Sequence, residues 1–142
     1  MRTLVLAIAL HCGYVGPTEV RLAPNPDLSC HDALRITANA MGALQLAEGR
    51  TVQRRWVIYY RAEHLFNLGA WPLRAFTSCQ RQDINVASAH AVSVLHEYMH
   101  ALDCEEGRWH DSIGHRGWKA RGRLETERRF THEDVTWEDG EP

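Results

Sequence analysis

An α+β fold, a small sheet packed on two or three helices, is the architecture these 142 residues predict. Two stretches, 30–48 and 88–105, repeat apolar residues at helical spacing and run into glycine. Shorter stretches rich in β-branched and aromatic residues lie between them. The length suits one core, and apolar and charged fractions of 44% and 24% are those of an ordinary globular domain. A formal net charge of −2 excludes a molecule that holds nucleic acid by its overall charge and leaves only a local basic patch.

The chain starts MRTLVLAIALHCG, one arginine before a short apolar run from Leu4 to Leu10. This run predicts a buried strand or a first helix. A minimal signal peptide over residues 1–12 is the alternative, but the run is short and no clean A-x-A site follows. No apolar run approaches the length of a membrane-spanning helix, so no membrane partner is expected. Residues 17–30, PTEVRLAPNPDLSC, hold three prolines and an asparagine and read as a loop.

Ser29 and Asp32 form an S-x-x-D capping signal. Leu34, Ala38, Met41 and Leu44 then recur at helical spacing and Gly49 closes the segment, so 30–48 is predicted as an amphipathic helix. VQRRWVIYY, residues 52–60, predicts a strand, with weaker strands at 74–80 and 84–87. Asn67, Gly69 and Pro72 mark a turn before them. In the second helix, 88–105, Val92, Leu95, Met99 and Leu102 lie on one side and Gly107 is the stop. Residues 116–129, with Arg116, Lys119, Arg121, Arg123, Arg128 and Arg129, predict a third helix. The acidic stretch THEDVTWEDGEP is expected to be a loose tail, which gives one domain over 1–130 and a tail over 131–142.

Cys12, Cys30, Cys79 and Cys104 include no CxxC pair, which argues against a zinc ribbon or a thioredoxin-like site. The even count permits two disulfides. The expectation is nevertheless four free, mostly buried thiols in a reducing cytoplasm.

The most informative stretch is LHEYMHALDC. A helix turns about 100° per residue, so His96 and His100 return to one face and can aim at one metal ion. Catalytic zinc takes three protein ligands and keeps one position for water, whose pKa it lowers to about 7. Glu97, beside the first ligand, is placed to take that water's proton. The bland reading is a solvated helical face. Against it stand the predicted helix, the strand–turn–helix order of INVASAHAVSVL before the motif, and further histidines after it. A metzincin spacing needs glycine at 103 and histidine at 106, where this chain has Asp103 and Glu106. A thermolysin-like glutamate has candidates in Glu125 and Glu127 but lacks its N-E-x-x-x-D context. His110 and His115, in GRWHDSIGHRGW, remain as third ligand.

VLHEYMHALDC followed by DSIGHRGW resembles the core of the SprT-like (Spartan-type) zinc metallopeptidases, over about residues 84–120. HEYMHA and GHRGW stand where that family carries HExxHA and a GHG-x-x-F-like segment. The glycine after His115 comes one position later than in the family, Trp118 one position earlier, and the family's frequent zinc ribbon is absent. The resemblance implies a small zincin-like domain with zinc held by His96, His100 and His115 and Glu97 as general base. His110 is the alternative ligand. It also implies a protein or peptide substrate, and SprT-like proteins often act on proteins crosslinked to DNA. The basic 116–129 segment suits DNA, but Glu125 and Glu127 interleave with its arginines, and a solvated, salt-bridged helix is expected.

Around the site, Asp111 is a candidate to hold a ligand imidazole, and Tyr98, His110 and Arg116 are candidate oxyanion donors. Trp118 packs under the site or is a plain core tryptophan. His31, His64 and His90 are expected to be structural or surface residues. The resulting expectation is a cytoplasmic zinc metallopeptidase. The alternatives are a secreted small metalloprotease, a non-catalytic zinc-stabilised binding module, and a chance HExxH in a metal-free domain.

Overall fold

The computed structural model describes residues 9–24, 28–61, 66–68, 71–73, 75–87, 90–108 and 115–130. Strands β1 (Leu10–Val15) and β2 (Thr18–Leu22) form a hairpin around Gly16, whose φ of 53° suits glycine at the turn. Helix α1 (Cys30–Glu48) crosses to β3 (Trp56–Tyr60), which pairs parallel to β2. A separate hairpin, β4 (Phe66–Leu68) and β5 (Trp71–Leu73), precedes β6 (Ala75–Ser78) and β7 (Asp83–Val86). Helix α2 (Ala91–Glu105) follows, then α3 (Arg116–Arg121) and α4 (Arg123–Arg129). The main sheet runs β1-β2-β3-β7-β6, parallel in its three inner strands and antiparallel at both edges. The architecture is α+β, as predicted.

One face of the sheet carries the core. Val20, Ile58, Tyr60, Ile84 and Val86 are fully buried, together with Ile36, Ala40 and Leu44 of α1 and Val94, Leu95, Tyr98 and Met99 of α2. Burying each such large side chain contributes about 1.5–3 kcal/mol before the entropy of ordering is subtracted. Helix α1 begins where its cap predicts: the Ser29 hydroxyl accepts from Asp32 N at 3.1 Å, and Gly49 closes the helix at φ 73°. Its buried stripe differs from the predicted one. Ala33, Ile36, Thr37, Ala40, Ala43 and Leu44 face inward, whereas Ala38 is exposed and Leu34 and Met41 sit at the margin. Small residues share the inner face with Ile36 and Leu44, while Leu34 and Met41 mark its flank, beside Gly13 and Gly16.

Four predicted boundaries need correction. Residues 18–22 are a strand, not part of a loop, and Val20 lies at the centre of the core. The prolines that suggested a loop, Pro17, Pro24 and Pro26, bracket this strand without entering it. β3 starts at Trp56, because 52–55 approach it as a loop. Asn67 and Pro72 pair across the β4–β5 hairpin, so the predicted turn narrows to its connection, residues 69–70, which lie outside the described residues. The basic segment is two short helices, since Gly122 adopts φ 73° and ends the first.

The cysteines are not free. Cys12 bonds Cys30 and Cys79 bonds Cys104. A β-bulge displaces Cys12 from its ladder and brings it to the first residue of α1. Cys79 follows β6 and reaches the last turn of α2. Leu4–Ile8 and the 131–142 tail lie outside the described residues. Among the described residues, no helix is long and apolar enough to cross a membrane.

Candidate metal centre

Helix α2 presents His96 and His100 one turn apart, with ring centroids 4.9 Å from each other. His115 lies just before α3, and its ring comes to 5.0 Å from His96 and 5.1 Å from His100. One ligand atom from each of the three lies within 4.8 Å of the others. Nε2 of His115 faces Nε2 of His96 at 3.1 Å. Two nitrogens about 2.05 Å from a tetrahedral zinc ion stand about 3.3 Å apart, so this spacing suits one small divalent ion.

The protonation pattern suits it too. His96 Nδ1 meets Oε1 of Glu127, on α4, at 3.0 Å. With Nδ1–H donated to that carboxylate, Nε2 carries the lone pair that points to the centre. Burial opposes charge on His96, but Glu127 outweighs it and raises the pKa above the ordinary value. Burial, then the neighbouring His96 and His115, push His100 down to about 3, so it is neutral as a metal ligand must be.

Glu97 is buried, and burial raises its pKa despite the opposing influence of His96 and Thr77. The Thr77 hydroxyl, on β6, donates to Glu97 Oε2 at 2.9 Å and stands 3.1 Å from the Glu97 carbonyl oxygen. Ala75, Val92, Ser93, His96, Glu97 and Glu127 line a cleft of about 230 Å³. The general-base candidate and one ligand candidate therefore share a single opening.

Beneath the three imidazoles lies Trp118, fully buried, its ring centroid 4.9, 4.4 and 4.7 Å from those of His96, His100 and His115. It packs under the site and belongs to the core at once. Its indole N–H donates to Asp103. Asp103 also accepts from Arg121 at 3.0 Å and from Arg123. Arg123, itself buried, donates to Glu106 at 2.9 Å and lies 3.3 Å from Glu48.

The structure brings His96, Glu97, His100 and His115 together and leaves other candidates elsewhere. Tyr98 points into the sheet-facing core beside Thr18, two residues round the helix from His96, and is no oxyanion donor. Arg116 is exposed. Glu127 serves as the partner of a ligand candidate, and Glu125 is exposed beside Arg128 at 3.9 Å. His110, Asp111 and His64 lie outside the described residues, while His31 and His90 are exposed. Thr77, Asp103 and Arg123 are site-supporting residues that the motif does not contain. One signal for Asp103 was present: it follows His100 by three residues and so shares the ligand face of α2.

No protein-family model matches this chain, and neither the curated proteins nor the solved structures contain a match to it.

Proposed function

We propose that this protein is a zinc-dependent peptidase that hydrolyses peptide bonds in a protein or peptide substrate. The observation that carries the proposal is the convergence of three imidazoles, one of which, His96, shares a cleft with the buried carboxylate of Glu97. His96, His100 and His115 would hold the ion and leave a fourth position open. Zinc bound there would supply Lewis acidity, polarising the scissile carbonyl and acidifying water. Glu97 accepts the water proton and delivers it to the leaving amine. A pKa raised by burial suits both halves of that task, because the group must take a proton and then release it. Thr77 occupies Oε2, which leaves Oε1 to exchange protons. Glu127 fixes the His96 tautomer.

The SprT-like resemblance of HEYMHA and GHRGW supports this reading, and the placement of His115 agrees with the ligand set that it implies. Action on DNA-associated proteins rests on the resemblance alone. Two of the six cations in 116–129, Arg121 and Arg123, turn toward Asp103 rather than outward. We place the peptidase in an oxidising compartment, because both pairs of cysteines are joined and such bonds persist there.

The test is zinc content together with hydrolysis of an unfolded protein substrate. About one zinc per chain is expected in wild type, with loss on His115→Ala. Glu97→Gln should keep the zinc and lose hydrolysis. Zinc-free wild type after reconstitution sinks the proposal. Undiminished hydrolysis in Glu97→Gln sinks the mechanism, and bound zinc with no hydrolysis favours a structural-zinc module.

A further inference from the structure

We propose that Trp118 and Asp103 act as a positioning pair for the metal centre. Trp118 sets the mutual placement of the three imidazoles, and Asp103 fixes Trp118 and the helices that follow it. This rests on the metal-site reading above, though not on the peptidase activity.

Among the described residues, Trp118 is the one ring in contact with all three ligand candidates. A phenylalanine would fill a plain core position as well. A tryptophan brings an N–H that must find an acceptor once buried. The acceptor here is a carboxylate that is itself 1% exposed. Asp103 lies three residues past His100 and seven past His96, which puts all three on one face of α2.

That carboxylate also receives Arg121 of α3 and Arg123 at the start of α4. The same two helices deliver His115, at the head of α3, and Glu127, late in α4. Asp103 therefore ties both outer contributors of the site to the helix that bears the inner ligands. Arg123 depends on it in turn, being 1% exposed and balanced by Asp103, Glu106 and Glu48. A buried charge stripped of its partner is costly, so loosening this cluster shifts the helices rather than leaving them in place.

The test measures Zn²⁺ affinity by chelator competition and the visible absorption of the Co²⁺-loaded full chain. Trp118→Phe keeps an aromatic ring and removes the N–H together with the five-membered ring of the indole. We expect it to weaken Zn²⁺ binding about tenfold, Asp103→Asn to weaken it about 10–100-fold, and both to shift the Co²⁺ bands. Glu105→Gln is the control. It alters a carboxylate at the same end of α2 that bonds the 53–56 segment instead, and it should leave affinity and spectrum unchanged. Wild-type affinity and spectrum in Trp118→Phe overturn the pair, even if its melting temperature falls. That variant also decides the matter should Asp103→Asn not fold. Wild type that binds no Zn²⁺ overturns both this pair and the peptidase. Tight Zn²⁺ binding without hydrolysis overturns the peptidase alone, and the affinities of the variants still judge the pair.

Discussion

The hydroxyl of Thr77 donates to Oε2 of Glu97 at 2.9 Å, across the gap between the edge strand β6 and helix α2. The register of β6 explains it. Thr77 pairs with Ile84, whose side chain is in the core, so both point to the helical side of the sheet. The edge strand thus supplies a hydrogen bond to the group proposed as general base. Thr77→Val removes the donor with little change of shape. Its kcat should fall about tenfold, with KM and zinc content unchanged, and Thr77→Ser should recover most of the loss. Steady-state kinetics on the three proteins decide this, and equal kcat in the valine variant would refute it.

Glu127 meets the Nδ1 edge of His96, so its effect should appear in metal binding. Glu127→Gln retains an acceptor but loses the charge, and Glu127→Ala loses both. Zinc affinity is expected to fall about 10–100-fold in the alanine variant and less in the glutamine variant. Competition with a chromophoric chelator gives the order directly, and the reverse order would show that charge and hydrogen bond do not act through His96.

Glu105 has a different task. Its carboxylate accepts from Gln53 N at 2.7 Å, Arg54 N at 3.0 Å and the Trp56 indole at 2.7 Å. It fastens the loop before β3 to the end of α2. The site is partly exposed, so Glu105→Ala should cost about 2 kcal/mol of stability rather than the full sum of three charged bonds. Urea denaturation at fixed zinc concentration measures it; a change within about 0.5 kcal/mol would mean that water replaces the carboxylate.

The Cys79–Cys104 bridge closes a loop that contains β7 and most of α2, with a sequence separation of 25. The chain-entropy model gives such a loop about 3.5 kcal/mol. The double variant Cys79→Ala/Cys104→Ala should therefore unfold at a clearly lower temperature, and reductant should lower the wild-type transition. A melting temperature indifferent to reductant would count against the bridge as a stabilising element.

What was legible in the chain is what local chemistry writes. The start and end of α1 follow from Ser29, Asp32 and Gly49, each acting on its own neighbourhood. The candidate ligand pair on α2 follows from a spacing of four. The supporting contacts lie further apart: Thr77 and Asp103 reach partners 20 residues away, and Glu127 one 31 away. No periodicity encodes them. The Cys12–Cys30 bond depends on a bulge in one strand, and β2 was obscured because prolines flank a strand whose own five residues alternate normally.

Gly122 has a consequence for the reach of the chain. Along an unbroken helix, residues 115 and 127 would be separated by about 18 Å of axial rise. Here both meet the same five-membered ring, His115 at its Nε2 edge and Glu127 at its Nδ1 edge. The left-handed residue between them folds the segment into a clasp that grips one imidazole from two sides. A Cβ added at Gly122 meets nothing within 4 Å, so space does not demand glycine there; the backbone angle of +73° does. One residue without a side chain, remote from any proton transfer, sets whether two arms of the chain close on a single histidine.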